Sequence, residues 1–319
     1  MMRLNPQAST EIRPLPPYDF DLTIRKPAGW PLFSPDEVWE DGTMWTATHI
    51  EGRLVGVKLR STGTVDKPII AAEVFTKVAP GRSELVRVQR SLVHSIGADE
   101  NLNGFYQLAE KDDILRLTVE DLRGMHNTMQ STVFPDACLA ILLQMAPLKR
   151  ADEMMECVIA KYGERAEFDG RTVPVWPLPK RIARETPEGV AKDCKIGYRA
   201  KRLHALARKI DEDGFPAIAE LEQMPPEEVK RLLLELPGIG DYSADIINPH
   251  GGFPIDAWSA DVFGSLFFGA EPEEKRKSID RIKREGLRRW GKWAWMAFFY
   301  VVQDLEKLSR KLGYQLRLS

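Results

Sequence analysis

Residues 224–245 read Met-Pro-Pro-Glu-Glu-Val-Lys-Arg-Leu-Leu-Leu-Glu-Leu-Pro-Gly-Ile-Gly-Asp-Tyr-Ser-Ala-Asp, and the same stretch runs on from Ile246 to Asp261. Pro225 and Pro226 suit a helix start, and Glu227 and Glu228 favour its positive end. The spacing predicts a helix to about Glu235, stopped by Pro237 and Gly238, with Gly240 allowing a second tight turn. A second helix starts near Asp241 or Tyr242 and fades before Pro249. Two helices joined by so short a glycine turn lie against each other with the turn exposed. That turn suits phosphate. Gly238 and Gly240, on either side of Ile239, carry no Cβ, so an anion can come close to the backbone. The free N–H groups of the second helix, out to Ser243, point outward with the positive helix end behind them. Pro-Gly alone is explained by an ordinary helix–helix turn; Leu-Pro-Gly-Ile-Gly followed by Ser-Ala is more specific.

Downstream stands Phe253-Pro254-Ile255-Asp256-Ala257-Trp258-Ser259. Leu236 to Gly240, Ser243-Ala244 and Pro254-Ile255-Asp256, in that order, resemble the helix-hairpin-helix DNA glycosylase superfamily. Its members carry a Leu-Pro-Gly-(Val/Ile)-Gly hairpin, a small-residue pair such as Thr-Ala, and then Val-Asp. The resemblance implies that Asp256 is the catalytic carboxylate and that the partner is damaged double-stranded DNA. The hairpin-to-Asp spacing is a few residues shorter than in many members, which implies a trimmed second helix. Asp245 and Asp261 are fallback candidates, each more simply a helix-surface charge. Members that also cut the strand carry a lysine two residues after the second hairpin glycine, and its amine forms a Schiff base with the sugar. Tyr242 stands there, which implies a monofunctional enzyme with water as nucleophile. The family's hairpin sometimes holds a monovalent cation on backbone carbonyls, which here would be those of Leu234, Leu236 and Ile239.

Further from the hairpin, Asp136 to Met145 is strongly apolar and reads as a buried helix entering a turn at Ala146-Pro147. The alkyladenine branch of the family has a similar Ala-Ile-Leu-x-Gln run, and the residue after that Gln is a wedge that fills the gap left by an extruded nucleotide. Gln144 matches the Gln and Met145 takes the wedge place; a flexible apolar side chain is a plausible plug, and a core methionine the plainer alternative. Val173 to Arg184, with three prolines, reads as a stiff surface connection. Ile196-Gly197-Tyr198-Arg199-Ala200 is similar to a family segment that opens a helix beside the pocket; Gly197 allows the turn, Arg199 braces local backbone, and Tyr198 reads as core. Basic residues crowd between Arg171 and Lys209 and again between Lys275 and Lys292, where solvated helix faces are the ordinary explanation and phosphate contacts the functional one. Trp290 to Leu308 reads as a closing helix whose aromatics are mostly core, with one or two free to line a base pocket.

Towards the N-terminus the period changes. Residues 1 to about 17 are polar and proline-rich and read as a loose arm. Tyr18 to Lys26 alternates apolar and polar residues, as does each side of Glu51-Gly52-Arg53 (Met44 to Ile50, Leu54 to Leu59), and Ile69 to Val78 continues the pattern. Leu85 to Ile96 carries a helical apolar stripe. The expected fold class is α+β: an N-terminal antiparallel sheet domain with a helix, residues 1–100, followed by an all-α helix-hairpin-helix glycosylase domain, residues 101–319. Thr118 to Gly124 begins with a capping-box pattern.

Whole-chain quantities bound the rest. Apolar content of 43% and charge of 29% over 319 residues fit a soluble protein with a substantial core. No apolar run reaches membrane-spanning length and the first residues lack a signal segment, so an intracellular, cytoplasmic monomer is expected. The net charge of −2 gives no support for a nucleic-acid partner by itself. Cys138, Cys157 and Cys194 are too few and too widely spaced for an iron–sulfur cluster or zinc set, and read as buried free thiols; no organic cofactor is expected.

The expected chemistry is extrusion of a damaged nucleotide, with Asp256 stabilising the positive sugar as the base leaves. Alkylated purines such as 3-methyladenine are cationic, and Trp258 is a candidate aromatic wall for such a base. The alternatives are an 8-oxoguanine or mismatch glycosylase, and a non-catalytic DNA-binding module that uses only the hairpin.

Overall fold

The computed structural model describes residues 1–28, 37–50, 52–313 and 316. The chain opens with β1 (Met2–Arg3), β2 (Asn5–Ile12), α1 (Phe20–Arg25), β3 (Val38–Glu40), β4 (Thr43–Ile50), β5 (Arg53–Ser61), β6 (Ile70–Thr76) and α2 (Arg82–Ser95). Strands β2 to β6 form an antiparallel sheet ordered β2-β6-β5-β4-β3. The alternation around Gly52 becomes the β4–β5 hairpin, in register from Thr43↔Arg60 to Ile50↔Arg53. Glu51, read as part of that turn, lies outside the described residues. Period two then sorts side chains between two cores. Val55, Val57 and Leu59 pack with Val88, Leu92 and Ile96 of the α2 segment on one face. Leu54 and Phe75 face the other way.

Next come α3 (Asn103–Ala109), α4 (Leu115–Leu122), α5 (Val133–Leu143), α6 (Leu148–Tyr162), β7 (Glu164–Phe168), β8 (Arg171–Val175), α7 (Pro179–Ala183), α8 (Pro187–Cys194), α9 (Arg199–Asp213), α10 (Ile218–Leu221), α11 (Pro226–Leu234) and α12 (Asp241–Ile247). The chain closes with α13 (Ala257–Phe268), α14 (Lys275–Trp290), α15 (Ala294–Gln303) and α16 (Leu305–Leu312). Two helical cores result. One is built on α5 to α12, from Val133 to Ile247. The other joins α3 and α4 to α13–α16 and includes Phe253 and Ile255. Residues 248–256 therefore carry the chain from one core to the other, and Asp256 sits where that crossing meets α13. No described helix is long and apolar enough to cross a membrane.

The architecture is α+β, with several local corrections. The stretch Tyr18 to Lys26 carries helix α1 (Phe20–Arg25), not a strand. The Asp19 carboxylate accepts the Leu22 N–H at 2.9 Å as an N-cap, and Phe20, Thr23 and Ile24 bury one helical face, a local bond that period counting passes over. The N-terminal arm is β2, held to β6 by its ladder. Residues 101–319 are not all-α: β7 and β8 form a hairpin to which β1 adds in parallel. That small sheet packs Phe168 and Val173 against Leu54 and Phe75. The sheet joins the chain's first strand to a hairpin near its middle, which local spacing cannot reveal, and β8 takes up the start of the stretch read as a surface connection. Helix α4 starts at Leu115, before Thr118, whose hydroxyl instead donates to the Leu115 carbonyl. Cys157 and Cys194 are a disulfide between α6 and α8, with Cα atoms 5.5 Å apart; only Cys138 is a buried free thiol. Thiols 37 residues apart in sequence meet here because the two helices pack together.

Candidate active site

The hairpin is fixed from beneath. Leu236 and Ile239 are buried in the first helical core, so Ile239 offers only its backbone to a ligand. The two glycines do different work. Gly238 takes φ +85°, and a Cβ there would lie 3.1 Å from Ile141 and 3.2 Å from the Arg202 Cβ. Gly240 is extended, φ −107°, and is the N-cap of α12; this corrects the expected second glycine turn. Nothing lies within 4 Å of the position its Cβ would take, so the backbone is open to an approaching group. Among the described residues, no acceptor takes the N–H of Gly240, Asp241, Tyr242 or Ser243. The Ser243 side chain is buried and lines a cleft behind the turn.

The carbonyls of Leu234 and Ile239 accept no hydrogen bond from described residues, and that of Leu236 accepts one, from the Ile239 N–H at 3.1 Å. Hard oxygen donors with free lone pairs fit a monovalent cation. Among the described residues no set of His, Cys, Asp or Glu gathers for a metal.

Asp256 caps α13. Its Oδ1 accepts from the N–H of Trp258 at 3.1 Å, the N–H of Ser259 at 2.8 Å and the Ser259 hydroxyl at 2.8 Å. Among the described residues nothing hydrogen-bonds Oδ2. The carboxylate is half-buried and lines a cleft of about 1160 Å³ between the sheet and the two helical cores. Tyr242 and Trp258 line the same cleft. Burial, with the nearby negative charge of Asp256 second, pushes the Tyr242 phenol far above its ordinary value. It is a neutral hydroxyl at any working pH. The fallback carboxylates are otherwise engaged: Asp245 is buried between Lys230 and Lys283, each at 2.7 Å, and Asp261 pairs with Lys275.

Met145 is 94% exposed with φ +52°, at the tip of the turn after α5; it is no core residue. Gln144 lines the cleft, and its Nε2 donates to the Gly238 carbonyl at 2.7 Å. Arg199 braces this turn through the Gln144 carbonyl at 3.1 Å. Tyr198, read as core, is half exposed and its hydroxyl donates to the same carbonyl. Of the C-terminal aromatics, Trp290 and Tyr300 are buried, whereas Trp295 and Phe299 stack at 5.3 Å on the cleft wall. The Trp295 indole nitrogen is buried with no partner among the described residues. Two lysines line the cleft: Lys292, which ends the second basic cluster, and Lys26, which the sequence does not single out and which burial pushes down to about 8. Lys26 is the last residue of the segment whose period suggests a strand, which gives no sign that its side chain turns inward.

No family model matches the chain. Among characterised proteins it is 24% identical over 163 residues to a DNA-3-methyladenine glycosylase of Bacillus subtilis (strain 168), covering 50% of this chain and 54% of that protein. The match thus spans about half the length of that relative. It is 23% identical over 297 residues to a "Probable N-glycosylase/DNA lyase" of Methanothermobacter thermautotrophicus, covering 85% and 90%. Among solved structures, the 3-methyladenine DNA glycosylase of Archaeoglobus fulgidus superposes with a TM-score of 0.74 at 21% identity, covering 93% of this chain and 98% of that one. The 8-oxoguanine glycosylase/lyase of Clostridium acetobutylicum bound to DNA gives 0.71 at 15% identity, covering 97% and 98%. The resemblance to helix-hairpin-helix DNA glycosylases holds in sequence and in fold alike.

Proposed function

We propose that the chain is a DNA glycosylase of base excision repair that extrudes an alkylated purine such as 3-methyladenine and hydrolyses its N-glycosidic bond without cutting the strand. The observation that carries this reading is Asp256: a carboxylate with one oxygen tied into a helix cap, lining a cleft large enough for a nucleotide, behind an open backbone turn. The turn from Gly238 to Gly240, with the N–H groups running to Ser243, grips a backbone phosphate. A monovalent cation on the carbonyls of Leu234, Leu236 and Ile239 would add positive charge at the same place. Met145 fills the gap in the stack. As the base departs, the sugar gains oxocarbenium character. The fixed carboxylate of Asp256 stabilises that charge and orients the attacking water. Trp258, Trp295 and Phe299 give an electron-rich wall for a base that is already cationic and needs no proton to leave.

One observation favours a second reading, a strand-cutting enzyme of 8-oxoguanine type. A buried amine pushed down to about 8 lines the cleft at Lys26, and a partly neutral amine is a nucleophile. Against it, Tyr242 occupies the place beside Asp256 where the family's amine stands. Purified protein incubated with duplexes that each carry one defined lesion, with and without alkaline treatment, separates the two. The proposal expects alkylated purines to be released with strand breaks only after alkali. Breaks without alkali on an 8-oxoguanine duplex would establish the second reading, and no release from any lesion would leave a DNA-binding module.

A further inference from the structure

Gln144 is the C-cap of α5, and its side chain leaves the Met145 turn to reach the hairpin. The Nε2 donates to the Gly238 carbonyl at 2.7 Å. The Oε1 accepts from Arg202. The backbone carbonyl accepts from the Tyr198 hydroxyl and from Arg199 Nε, each at 3.1 Å. One residue thus touches three segments far apart in sequence: its own turn, the 235–240 hairpin and the start of α9. The packing around it is equally close, since Ile141, one turn back along α5, lies 3.1 Å from where a Gly238 Cβ would be. The next residue, Met145, holds an apolar side chain 94% exposed at φ +52°. A non-glycine residue persists in that backbone region only when its surroundings hold it there, and the three residues that donate to the Gln144 carbonyl and side chain are those surroundings.

We infer that Gln144 is a positioning residue that fixes the distance between Met145 and the Gly238–Gly240 turn, so that plug and phosphate grip move as one body. The inference rests on the proposed DNA reading of those two elements. An extruded nucleotide must be held both at the gap it leaves and at its phosphate. If the two holds drift apart, the reacting atoms lose their alignment. The bond to Gly238 needs a donor. Glutamate at 144 keeps an acceptor for Arg202 but sets two acceptors against each other at the hairpin.

The test uses full-length Gln144→Glu, Met145→Ala and the double variant, with two readouts. Fluorescence of 2-aminopurine beside a tetrahydrofuran abasic analogue in a duplex reports extrusion. Single-turnover release from DNA carrying 3-methyladenine, in duplex and in single strand, reports chemistry. Gln144→Glu is expected to lower duplex extrusion and release on the order of tenfold to a hundredfold, with single-strand release at wild-type level and the protein still folded, its melting temperature lowered by only a few degrees. The double variant should be no worse than Met145→Ala alone, because nothing is left to position. Wild-type extrusion by Gln144→Glu, additive loss in the double variant, or equal loss on duplex and single strand would overturn the inference. Extrusion without base release in the wild type would sink the proposed function alone, and the fluorescence series would still decide the coupling. A wild type that neither extrudes nor releases would sink both.

Discussion

At the scale of single residues, Asp256 separates structure from chemistry. Its Oδ1 serves the α13 cap, and asparagine caps a helix as well as aspartate does. Asp256→Asn should therefore keep its melting temperature and its affinity for DNA while single-turnover base release falls on the order of 10²–10³-fold, the scale of losing one preorganised electrostatic group. Release at wild-type rate would remove Asp256 from the chemistry. The hairpin glycines separate in the same way. Gly240→Ala meets no neighbour and no unusual φ; it should fold normally yet bind duplex DNA several-fold more weakly, since the methyl group intrudes where the phosphate approaches. Gly238→Ala combines φ +85° with contacts near 3.1 Å and should cost about 1–3 kcal/mol of stability, read by urea unfolding. In the sequence the two glycines look alike. Their difference depends on Ile141 and Arg202, which lie far from them along the chain.

At the scale of elements, the hairpin was legible because its signals are local: prolines at the start of α11, a Pro-Gly stop, and small residues opening α12. The misreadings share an opposite cause. Helix α1 turns on one cap from Asp19, and the β1-β7-β8 sheet on partners drawn from both halves of the chain. What braces the hairpin was also out of reach. Asp245, read as a surface charge, is 5% exposed and holds Lys230 of α11 and Lys283 of α14 at 2.7 Å each. Asp241, exposed at the head of α12, shares both lysines. The network ties α11, α12 and α14 together and offsets acidic charge close to where phosphate would sit. Removing Asp245 leaves Lys230 and Lys283 only the exposed Asp241 as a partner, so Asp245→Ala should cost about 1–3 kcal/mol by urea unfolding, the range for losing hydrogen bonds to charged groups. A cost below about 0.5 kcal/mol, the usual effect of a surface substitution, would show that the network is only a solvated cluster.

At the scale of the whole molecule, the cleft exists because the sheet layer and the helical cores are held at a fixed separation. One tie across that boundary titrates. His94, near the end of α2, lies 3.1 Å from Glu222, just after α10, and 3.8 Å from Asp99. The Glu222 carboxylate at 3.1 Å is the main reason that its pKa is raised above the ordinary 6.5, burial opposing it. A histidine raised on folding stabilises the native state fully below its unfolded value and loses that contribution as pH rises through its folded value. Wild-type protein should therefore lose stability from about pH 6.5 upward relative to His94→Gln, which keeps a polar side chain but cannot charge. Asp304 adds a trend of the same sign. Burial, with Asp121 second, pushes its carboxyl up to about 7, so its contribution fades between the ordinary carboxylate range and neutrality in both proteins and cancels from the comparison. The expected difference is about 1 kcal/mol at pH 6, as for a partly exposed charged pair, shrinking as the solution becomes alkaline. Melting curves of the two proteins from pH 5.5 to 8.5 measure it. Parallel curves across that range would mean that Glu222 and His94 exchange no proton-linked energy, leaving the two sides of the cleft to apolar packing and to backbone hydrogen bonds such as that from the Met129 N–H to the Ser95 carbonyl at 2.9 Å.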